Sequence, residues 1–414
     1  APDATLRKTT LPNGLTVLSE RMPGVRSVAF GAWVRAASVH EPRDRMGVSH
    51  LLEHMVFKGT PTRDAREIAL AVESLGGSLD AYTAREHTSY QARVLDEDLL
   101  QAADVIGDLV FRPLLRPADL RTERKVVLEE IGMVEDTPDD LVFELHNELL
   151  WGEHPYGYSI LGTRDTVRAL DVDALRDLHG RAYHPSQIVV AAVGSVEHER
   201  LLDVLARAGW ADIPAGPAAL LVPPPPVAAP PASRHVEREG TQTHIVFGST
   251  AVRHGDPRRY ELVLVSMLLG GGMSSRLFQH VREELGLAYA VYTFQSFHAD
   301  TGMHGVYVGT SPDTAERAAA AIREELERVA AEGIPEAELE AGKRQLKGQV
   351  TLSLESVSAR MYRAAATELY GEPYRSLDEV LARIDAIDGA SIAAVCRDFF
   401  APERQTALTL GPSE

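Results

Sequence analysis

The sequence predicts an α+β protein made of two homologous halves, each an α/β sandwich in which a mixed β-sheet is covered by helices. Three observations support this fold class. Strand patterns alternate with helix patterns along the chain. A proline-rich segment divides the chain almost in half, and residues before it recur after it at a nearly constant offset. The 414 residues are enough for two or three domains of ordinary size.

The first half contains clear signals for individual strands and helices. Asn13-Gly14 lies between two alternating segments, and Asn-Gly is a strong signal for a β-hairpin. An apolar run before Gly194 has the length and β-branched content of a buried strand. The predicted strands are 5–11, 15–20, 27–36 and 188–194, and the predicted helices begin at about 47 and cover 65–75, 96–110, 117–134 and 141–150.

The segment 214–233 is the sharpest change in composition, because prolines and alanines dominate it. Such a run favours an extended polyproline II conformation and acts as a semi-rigid linker. We therefore predict a first domain at 1–213, a linker at 214–233 and a second domain at 234–414.

The two predicted domains share residues at matching positions. Phe30-Gly31 and Phe247-Gly248 are 217 positions apart, and so are Pro185 and Pro402. Several matches in the same order with little drift indicate two copies of one α/β unit. Further pairs at offsets of 215 to 219 are Glu41 with Asp256, Trp151 with Tyr370, and Gly194 with Gly411.

The composition is that of an ordinary globular protein with an acidic balance. Lys and Arg number 42 against 60 Asp and Glu, which gives a net charge of −18. This charge argues against nucleic acid or an anionic membrane as the main partner and favours basic ligands. A single cysteine, Cys396, excludes a disulfide framework.

The chain has no membrane-length apolar run and no signal peptide, so a soluble, cytoplasmic protein is expected. Because it begins at Ala1 rather than Met, the removal of a preceding segment stays open.

The stretch His50-Leu51-Leu52-Glu53-His54 is the strongest functional signal. On a helix, residues four apart lie on one face, so both imidazoles can reach one metal ion, and Glu53 lies beside them. Two neutral imidazoles suit zinc, which in a catalytic site needs a third protein ligand and an open position. The alternative is a half-buried helix with surface histidines.

The third ligand is predicted from the helical periodicity of the segment 120–134. Glu123 and Glu130 fall within its apolar stripe, whereas Glu129 points to solvent. Buried carboxylates are costly without a cation, so Glu130 is the expected ligand and Glu123 a residue that orients the site. The alternative is that both glutamates pair with Arg124 or another base. The stripe consists of Leu120, Val127, Ile131 and Val134.

The second copy has lost these residues. At the offset of 217, the positions of His50, Glu53 and His54 hold Met267, Gly270 and Gly271. Gly270–Gly272 is not a nucleotide-binding loop, because no Gly-Lys-Ser/Thr follows. One zinc ion per chain is therefore expected.

The order H-x-x-E-H within the segment 47–60 resembles the pitrilysin-type, insulinase-like zinc peptidases of family M16. Glu130, 76 positions after His54, fits the same resemblance. The family includes mitochondrial processing peptidase, and in length the chain is similar to its small bacterial (M16B-like) subfamily. The resemblance covers essentially the whole chain and implies two homologous halves that form a clamshell.

The resemblance also implies roles for individual residues. It assigns the zinc ligands to His50, His54 and Glu130, the general base to Glu53 and an additional acidic position to Glu123. In the second half it implies that Arg282 and Tyr289 are a pair that orients the substrate. From the residues alone, an alternative interpretation stays open, in which Arg282 is a solvated charge on a helix and Tyr289 is a core residue.

Residues 79–83 resemble the family's edge strand, where an extended peptide pairs with the backbone of Ala81, Tyr82 and Thr83. Asp80 departs from the family, which commonly has Asn there, so the resemblance assigns no role to its side chain. Phe57 is a candidate wall of the substrate pocket, with core packing as the alternative.

The expected function is a zinc-dependent endopeptidase that hydrolyses short or unfolded peptides, basic ones preferred, inside a closed chamber. The resemblance implies a homodimer, and a heterodimer with a paralogue stays open. The alternatives are a non-catalytic subunit of this type, one member of a heterodimeric processing peptidase, or a different zinc hydrolase that shares the motif.

Overall fold

The computed structural model of the protein describes residues 6–217, 219–220, 223–227 and 229–412. Its strands are β1 (Arg7–Thr10), β2 (Thr16–Arg21), β3 (Ser27–Val34), β4 (Ser78–Thr83), β5 (Thr88–Leu95), β6 (Ile188–Gly194), β7 (Ser233–Glu237), β8 (Thr243–Ala251), β9 (Ala288–Phe297), β10 (Gly302–Thr310) and β11 (Thr406–Gly411). Its α-helices are α1 (Val48–Val56), α2 (Ala65–Glu73), α3 (Leu99–Phe111), α4 (Pro117–Asp136), α5 (Pro138–Trp151), α6 (Arg164–Ala169), α7 (Val172–Ala182), α8 (His198–Arg207), α9 (Arg259–Gly270), α10 (Ala315–Glu332), α11 (Glu336–Ser353), α12 (Val357–Leu369), α13 (Leu377–Asp385) and α14 (Gly389–Val395).

Most elements of the first half lie where the sequence predicts them. β1 and β2 form the expected antiparallel hairpin around Asn13-Gly14, and Gly14 has the positive φ of 88° that favours glycine. Strand β6 coincides with the predicted buried strand. Two helices differ at their first residue. The segment 96–98 is a 3₁₀ turn, so α3 begins at Leu99, and Pro138 at the first turn starts α5 before the predicted residue 141.

Contacts between residues divide the chain into two compact units. The first unit contains the chain up to Gly132, Tyr158–Pro223 and Leu352–Ser376. Its sheet has the order β1-β2-β6-β3-β5-β4. β2 and β6 are parallel, and the other neighbours are antiparallel. The sheet is mixed, as predicted.

The second unit contains Met133–Gly157, Pro224–Thr351 and the chain from Leu377 onward. Its sheet has the order β7-β11-β8-β10-β9, with β7 and β11 parallel and the other pairs antiparallel. This is the order of the first sheet without β1. Phe30 on β3 and Phe247 on β8 lie on corresponding strands, so the internal repeat and the fold class of two helix-covered mixed-sheet halves are confirmed.

Each unit is completed by a helix from the other half of the sequence. In the first unit, α12 packs on β2, β3 and β6, and Met361 and Ala364 join an apolar cluster with Trp33. In the second unit, α5 packs on β8 and β11, where Val142 belongs to one apolar cluster with Val246 and Leu408. The predicted domains 1–213 and 234–414 therefore describe the two sequence copies. The compact units have other boundaries, because each unit contains one helix from the other copy.

Part of the predicted linker lies within the described residues. They have no helix or strand between Ile213 and the start of β7 at Ser233, whereas residues 218, 221, 222 and 228 lie outside the described set, as do residues 1–5 and 413–414. Among the described helices, none combines the length and the apolar character needed to cross a lipid bilayer.

Candidate metal centre

Helix α1, which carries the H-x-x-E-H motif, begins at a buried carboxylate. Gly47 precedes the helix with a φ of 91°. Glu41 Oε2 accepts hydrogen bonds from the backbone N–H groups of Gly47 at 2.7 Å and Val48 at 3.1 Å. These donors would otherwise be unpaired at the helix start. Glu41 is only 4% exposed, and this burial raises the pKa of its carboxyl to about 8.

The motif places its polar residues on one side of α1. Leu51, Leu52, Met55 and Val56 on the remaining surface are fully buried in the core of the first unit. His50, Glu53 and His54 are half-buried on the side that faces α4. The two imidazole rings are neighbours, with centroids 4.7 Å apart, as the spacing of four residues requires.

Helix α4 brings two carboxylates to these imidazoles. Glu130 Oε2 lies 3.5 Å from His50 Nε2, and Glu130 Oε1 lies 3.5 Å from His54 Nε2. Glu129 is exposed, as predicted from the periodicity. The buried residues of α4 are Leu120, Glu123, Val127 and Ile131, whereas Val134 of the predicted stripe is half-buried.

The three residues His50, His54 and Glu130 fit a zinc ion. Their ligand atoms all lie within 4.8 Å of one another. The carboxylate presents one oxygen to each imidazole, Oε2 to His50 and Oε1 to His54, each at 3.5 Å, so both oxygens face the space between the two rings. Two imidazoles and one carboxylate are a usual ligand set for catalytic zinc. Burial, with a smaller effect of His54, lowers the pKa of His50 to about 4. The imidazole is therefore neutral at physiological pH, which metal binding requires.

Glu53 is held by a hydroxyl group from the edge strand of the sheet. Thr83 Oγ1 donates a hydrogen bond to Glu53 Oε2 at 2.7 Å. Burial raises the pKa of the Glu53 carboxyl, and the hydrogen bond from Thr83 opposes that rise. A carboxylate whose pKa is raised toward neutrality is suited to accept and return a proton.

Glu123 connects His54 to a lysine that the sequence reasoning did not single out. Glu123 Oε2 lies 3.2 Å from His54 Nδ1, and Lys58 Nζ lies 2.8 Å from Glu123 Oε1. Arg124, the base that the sequence offered as an alternative partner, instead donates to the carbonyl groups of Val167 and Leu170. The sequence feature that could have identified Lys58 is its position four residues after His54, on the same side of a helix.

The predicted substrate strand β4 is an edge strand with two different faces. Thr83, and by alternation Ala81, point to the side of α1. Tyr82 points to the other face, where its hydroxyl accepts a hydrogen bond from Trp33 Nε1 at 3.3 Å and its ring lies 6.2 Å from that of Tyr362. Asp80 shares the face of Tyr82. The side chain of Tyr82 therefore does not face α1, and Tyr82 would take part in the predicted peptide pairing through its backbone groups alone.

The other predicted site residues are less enclosed. Phe57 is half-buried against the core, with its ring 6.3 Å from that of Tyr90. In the second unit, the Arg282 guanidinium lies 5.3 Å from the centre of the Tyr289 ring, and Tyr289 is 79% exposed. The predicted pair is therefore in mutual contact, and Tyr289 is not a core residue.

The position in the second copy that corresponds to Glu53 has no room for a side chain. Gly270 is the last residue of α9, and a Cβ there would lie 2.7 Å from the backbone nitrogen of Thr293. Over the described parts of the chain, His50, His54 and Glu130 are the one group of three acidic, histidine or cysteine side chains close enough to share a metal ion.

A helix with the inverted motif, completed by a distant glutamate on a second helix, defines a class of zinc-dependent hydrolases. The chain belongs to peptidase family M16 within this class. The family model described as "Insulinase (Peptidase family M16)" matches residues 16–164, and the one described as "Peptidase M16 inactive domain" matches residues 169–346.

Curated relatives match almost the whole chain. It is 39% identical to an uncharacterized zinc protease of Streptomyces coelicolor, with 99% of this chain and 90% of that protein covered. It is 37% identical to the uncharacterized zinc protease YmxG of Bacillus subtilis, with 99% and 98% covered.

Solved structures share the fold at lower sequence identity. A peptidase M16 inactive domain from Pseudomonas fluorescens has a TM-score of 0.92 at 20% identity, with 99% of this chain and 98% of that chain covered. A protease from Helicobacter pylori has the same TM-score and identity, with 99% and 100% covered.

Proposed function

We propose that this chain is a zinc-dependent endopeptidase that hydrolyses short or unfolded peptides inside a closed chamber. The observation that carries the proposal is the convergence of His50, His54 and Glu130 next to Glu53. The names of the curated relatives, which call them zinc proteases, support the metal and the reaction. We expect one zinc ion per chain, because Met267, Gly270 and Gly271 replace the motif in the second copy.

In this proposal the residues of the first unit have separate tasks. His50, His54 and Glu130 hold the metal, which when bound would acidify a water molecule and polarise the scissile carbonyl group. Glu53 accepts the proton of the attacking water and returns it to the leaving amine. Thr83 holds the Glu53 carboxylate in place for both transfers.

Residues that bind the peptide are assigned from the family resemblance and the local geometry. The backbone of Ala81, Tyr82 and Thr83 on the edge strand β4 would pair with an extended peptide. Phe57 would form a wall of the pocket. Arg282 and Tyr289 of the second unit, which contact each other, would hold the carbonyl oxygen and its developing charge.

The assembly and the preferred substrate are part of the same proposal. We infer a homodimer, in a cytoplasmic location, and a preference for basic peptides that follows from the net charge of −18. A heterodimer with a paralogue is the alternative assembly. The alternative function is a non-catalytic subunit, which the complete set of His50, Glu53, His54 and Glu130 disfavours.

The proposal is tested by digesting a peptide library with the purified chain, with and without a zinc chelator, and by repeating the digest with Glu53→Gln. We expect zinc-dependent cleavage that falls at least 100-fold in Glu53→Gln while zinc content stays the same, because the substitution removes the proton acceptor and spares the ligands. Glu129→Gln on the exposed side of α4 is the matched control and should cleave normally. A chain that purifies without zinc from zinc-containing buffer, or full cleavage by Glu53→Gln, would refute the proposal.

A further inference from the structure

We propose that Lys58 is a positioning residue of the metal centre, which acts through Glu123 to fix the orientation of His54 and thereby strengthens zinc binding. The inference rests on the zinc site of the proposed function. Its tests measure metal binding and protein conformation, so they are independent of whether the chain cleaves peptides.

The backbone places Lys58 on the same side as the second histidine. Helix α1 ends at Val56, but the helical turn continues, with Phe57 N bonded to His54 O and Lys58 N bonded to Met55 O at 3.1 Å. Lys58 therefore follows His54 by one turn. Its own carbonyl oxygen accepts a hydrogen bond from Arg116 Nη2 at 3.0 Å, which ties the end of this turn to the start of α4.

The side chain of Lys58 contacts that of Glu123, which in turn contacts the metal ligand His54. Lys58 Nζ donates to Glu123 Oε1 at 2.8 Å, and Glu123 Oε2 lies 3.2 Å from His54 Nδ1. Glu123 is only 7% exposed. Lys58 provides the cation that a buried carboxylate needs, and it holds the oxygen that His54 does not use.

This arrangement selects one form of the His54 ring. Glu123 Oε2 is placed to accept a hydrogen bond from His54 Nδ1, so this contact favours the ring form with a hydrogen on Nδ1. The lone pair is then on Nε2, the atom that lies 3.5 Å from Glu130 Oε1. Partners of this kind, one step removed from a metal, typically change its affinity 10- to 100-fold when they are mutated.

Lys58 has two opposite effects on a bound cation, and they can be separated. As a positive charge near the site, it repels zinc, so its removal would tighten binding if charge alone mattered. As the residue that fixes Glu123, it keeps His54 in the binding orientation, so its removal would weaken binding. The proposal states that the second effect is larger.

The first experiment measures the zinc dissociation constant by competition with a chelating dye. We expect Lys58→Met to bind zinc about 10-fold or more weakly and Lys58→Arg to recover most of the loss, because arginine keeps the charge and the hydrogen-bond donors. Lys125→Met removes the same charge from the exposed side of α4 and should bind zinc as the native chain does. Equal or tighter binding by Lys58→Met, or binding by Lys58→Arg as weak as that by Lys58→Met, would overturn the proposal.

A second experiment examines the metal-free protein and guards against misfolding. The ¹⁵N chemical shifts of His54 should report a hydrogen on Nδ1 in the native chain and a mixture of both tautomers in Lys58→Met. Lys58→Gln, which keeps one donor to Glu123, should lie between them and serves where Lys58→Met is unfolded. An unchanged His54 tautomer in the folded variants would contradict the proposed route through Glu123.

Discussion

At the scale of single residues, the hydroxyl of Thr83 has the most direct influence on the proposed general base. The sequence analysis predicted that the backbone of Thr83 pairs with a peptide. The structure shows in addition that its side chain donates a 2.7 Å hydrogen bond to Glu53. Such a contact joins a residue on β4 to one on α1, 30 positions earlier in the chain. Its existence depends on how the strand and the helix pack, which a local sequence pattern does not contain.

Removal of this hydroxyl should shift the pH dependence of cleavage. In Thr83→Val, burial of Glu53 is no longer opposed by the hydrogen bond, so the pKa of its carboxyl rises further. The base is then ionised only at higher pH, and the acid limb of kcat/KM moves upward. We expect kcat/KM at pH values on that limb to fall roughly 3- to 10-fold, the equivalent of a hydrogen bond of about 1 kcal/mol.

Thr83→Ser is the matched control, because it keeps the hydroxyl and should keep the native pH profile. The measurement is kcat/KM across pH 5–9 with a fluorogenic peptide. An acid limb in Thr83→Val that coincides with that of the native chain would show that the Thr83 hydroxyl does not act on Glu53.

At the scale of secondary-structure elements, the start of α1 depends on the buried carboxyl of Glu41. Its two hydrogen bonds, to the N–H groups of Gly47 and Val48, hold the first turn of the helix that carries the metal ligands. Since burial raises its pKa to about 8 from an ordinary value of 4.5, folding favours the protonated form. Between those two pH values, folding therefore requires this carboxyl to take up a proton, and the cost of that uptake grows with pH.

The contribution of Glu41 to the stability of the metal-free chain should accordingly decrease as pH rises from about 5 to 8, because this carboxyl binds a proton in the folded state that it has lost in the unfolded state. Glu41→Gln keeps an oxygen acceptor for both N–H groups and carries no charge. Its stability relative to the native chain should increase over this range, by up to about 1.4 kcal/mol per pH unit.

The comparison requires urea unfolding of both proteins at several pH values in the presence of a chelator. Glu73→Gln, at an exposed position of α2, is the control for loss of a carboxylate. A constant stability difference between Glu41→Gln and the native chain across the range would exclude the buried, protonated carboxyl.

Elements with a strong local pattern were predictable, and their partners were not. The four-residue spacing of His50 and His54 depends only on helix geometry, and so does the periodicity that puts Glu130 in the apolar stripe of α4. That Glu130 lies beside both imidazoles depends on the packing of α4 and α1, which the sequence indicated only through the cost of a buried carboxylate and the family resemblance. The pattern of α12 shows that the helix has an apolar face, but many sheets could cover such a face. Its position on the sheet of the first unit depends on tertiary packing against residues such as Trp33, which a local pattern does not specify.

At the scale of the whole molecule, the exchange of α5 and α12 makes each half of the sequence incomplete. A fragment of residues 1–213 contains the strands of the first sheet but lacks α12, so Leu18, Ala29 and Trp33 lose their apolar cover. We expect this fragment to be insoluble when it is expressed alone. Fusion of Leu352–Ser376 to its C-terminus should raise the soluble fraction and allow zinc binding, because it restores the cover of this sheet. The apolar face of α5 that includes Val142 is uncovered in both fragments and does not affect the comparison.

The matched control carries Met361→Asp and Ala364→Asp in the fused helix, which places two charges against the sheet. Solubility and zinc content of the three fragments decide the question. A fragment of residues 1–213 that is soluble and monomeric without α12 would refute the dependence of the first unit on this helix.

The helix exchange also has a consequence for the time course of biosynthesis. The first sheet receives its last strand at Gly194, yet its covering helix ends at Leu369, 175 residues later. At roughly 5–20 residues per second, a ribosome needs about 10–35 s to make that stretch. Throughout this interval the nascent chain presents the apolar face that includes Trp33 to its surroundings. Factors that bind nascent chains at the ribosome should therefore associate with this protein until α12 emerges.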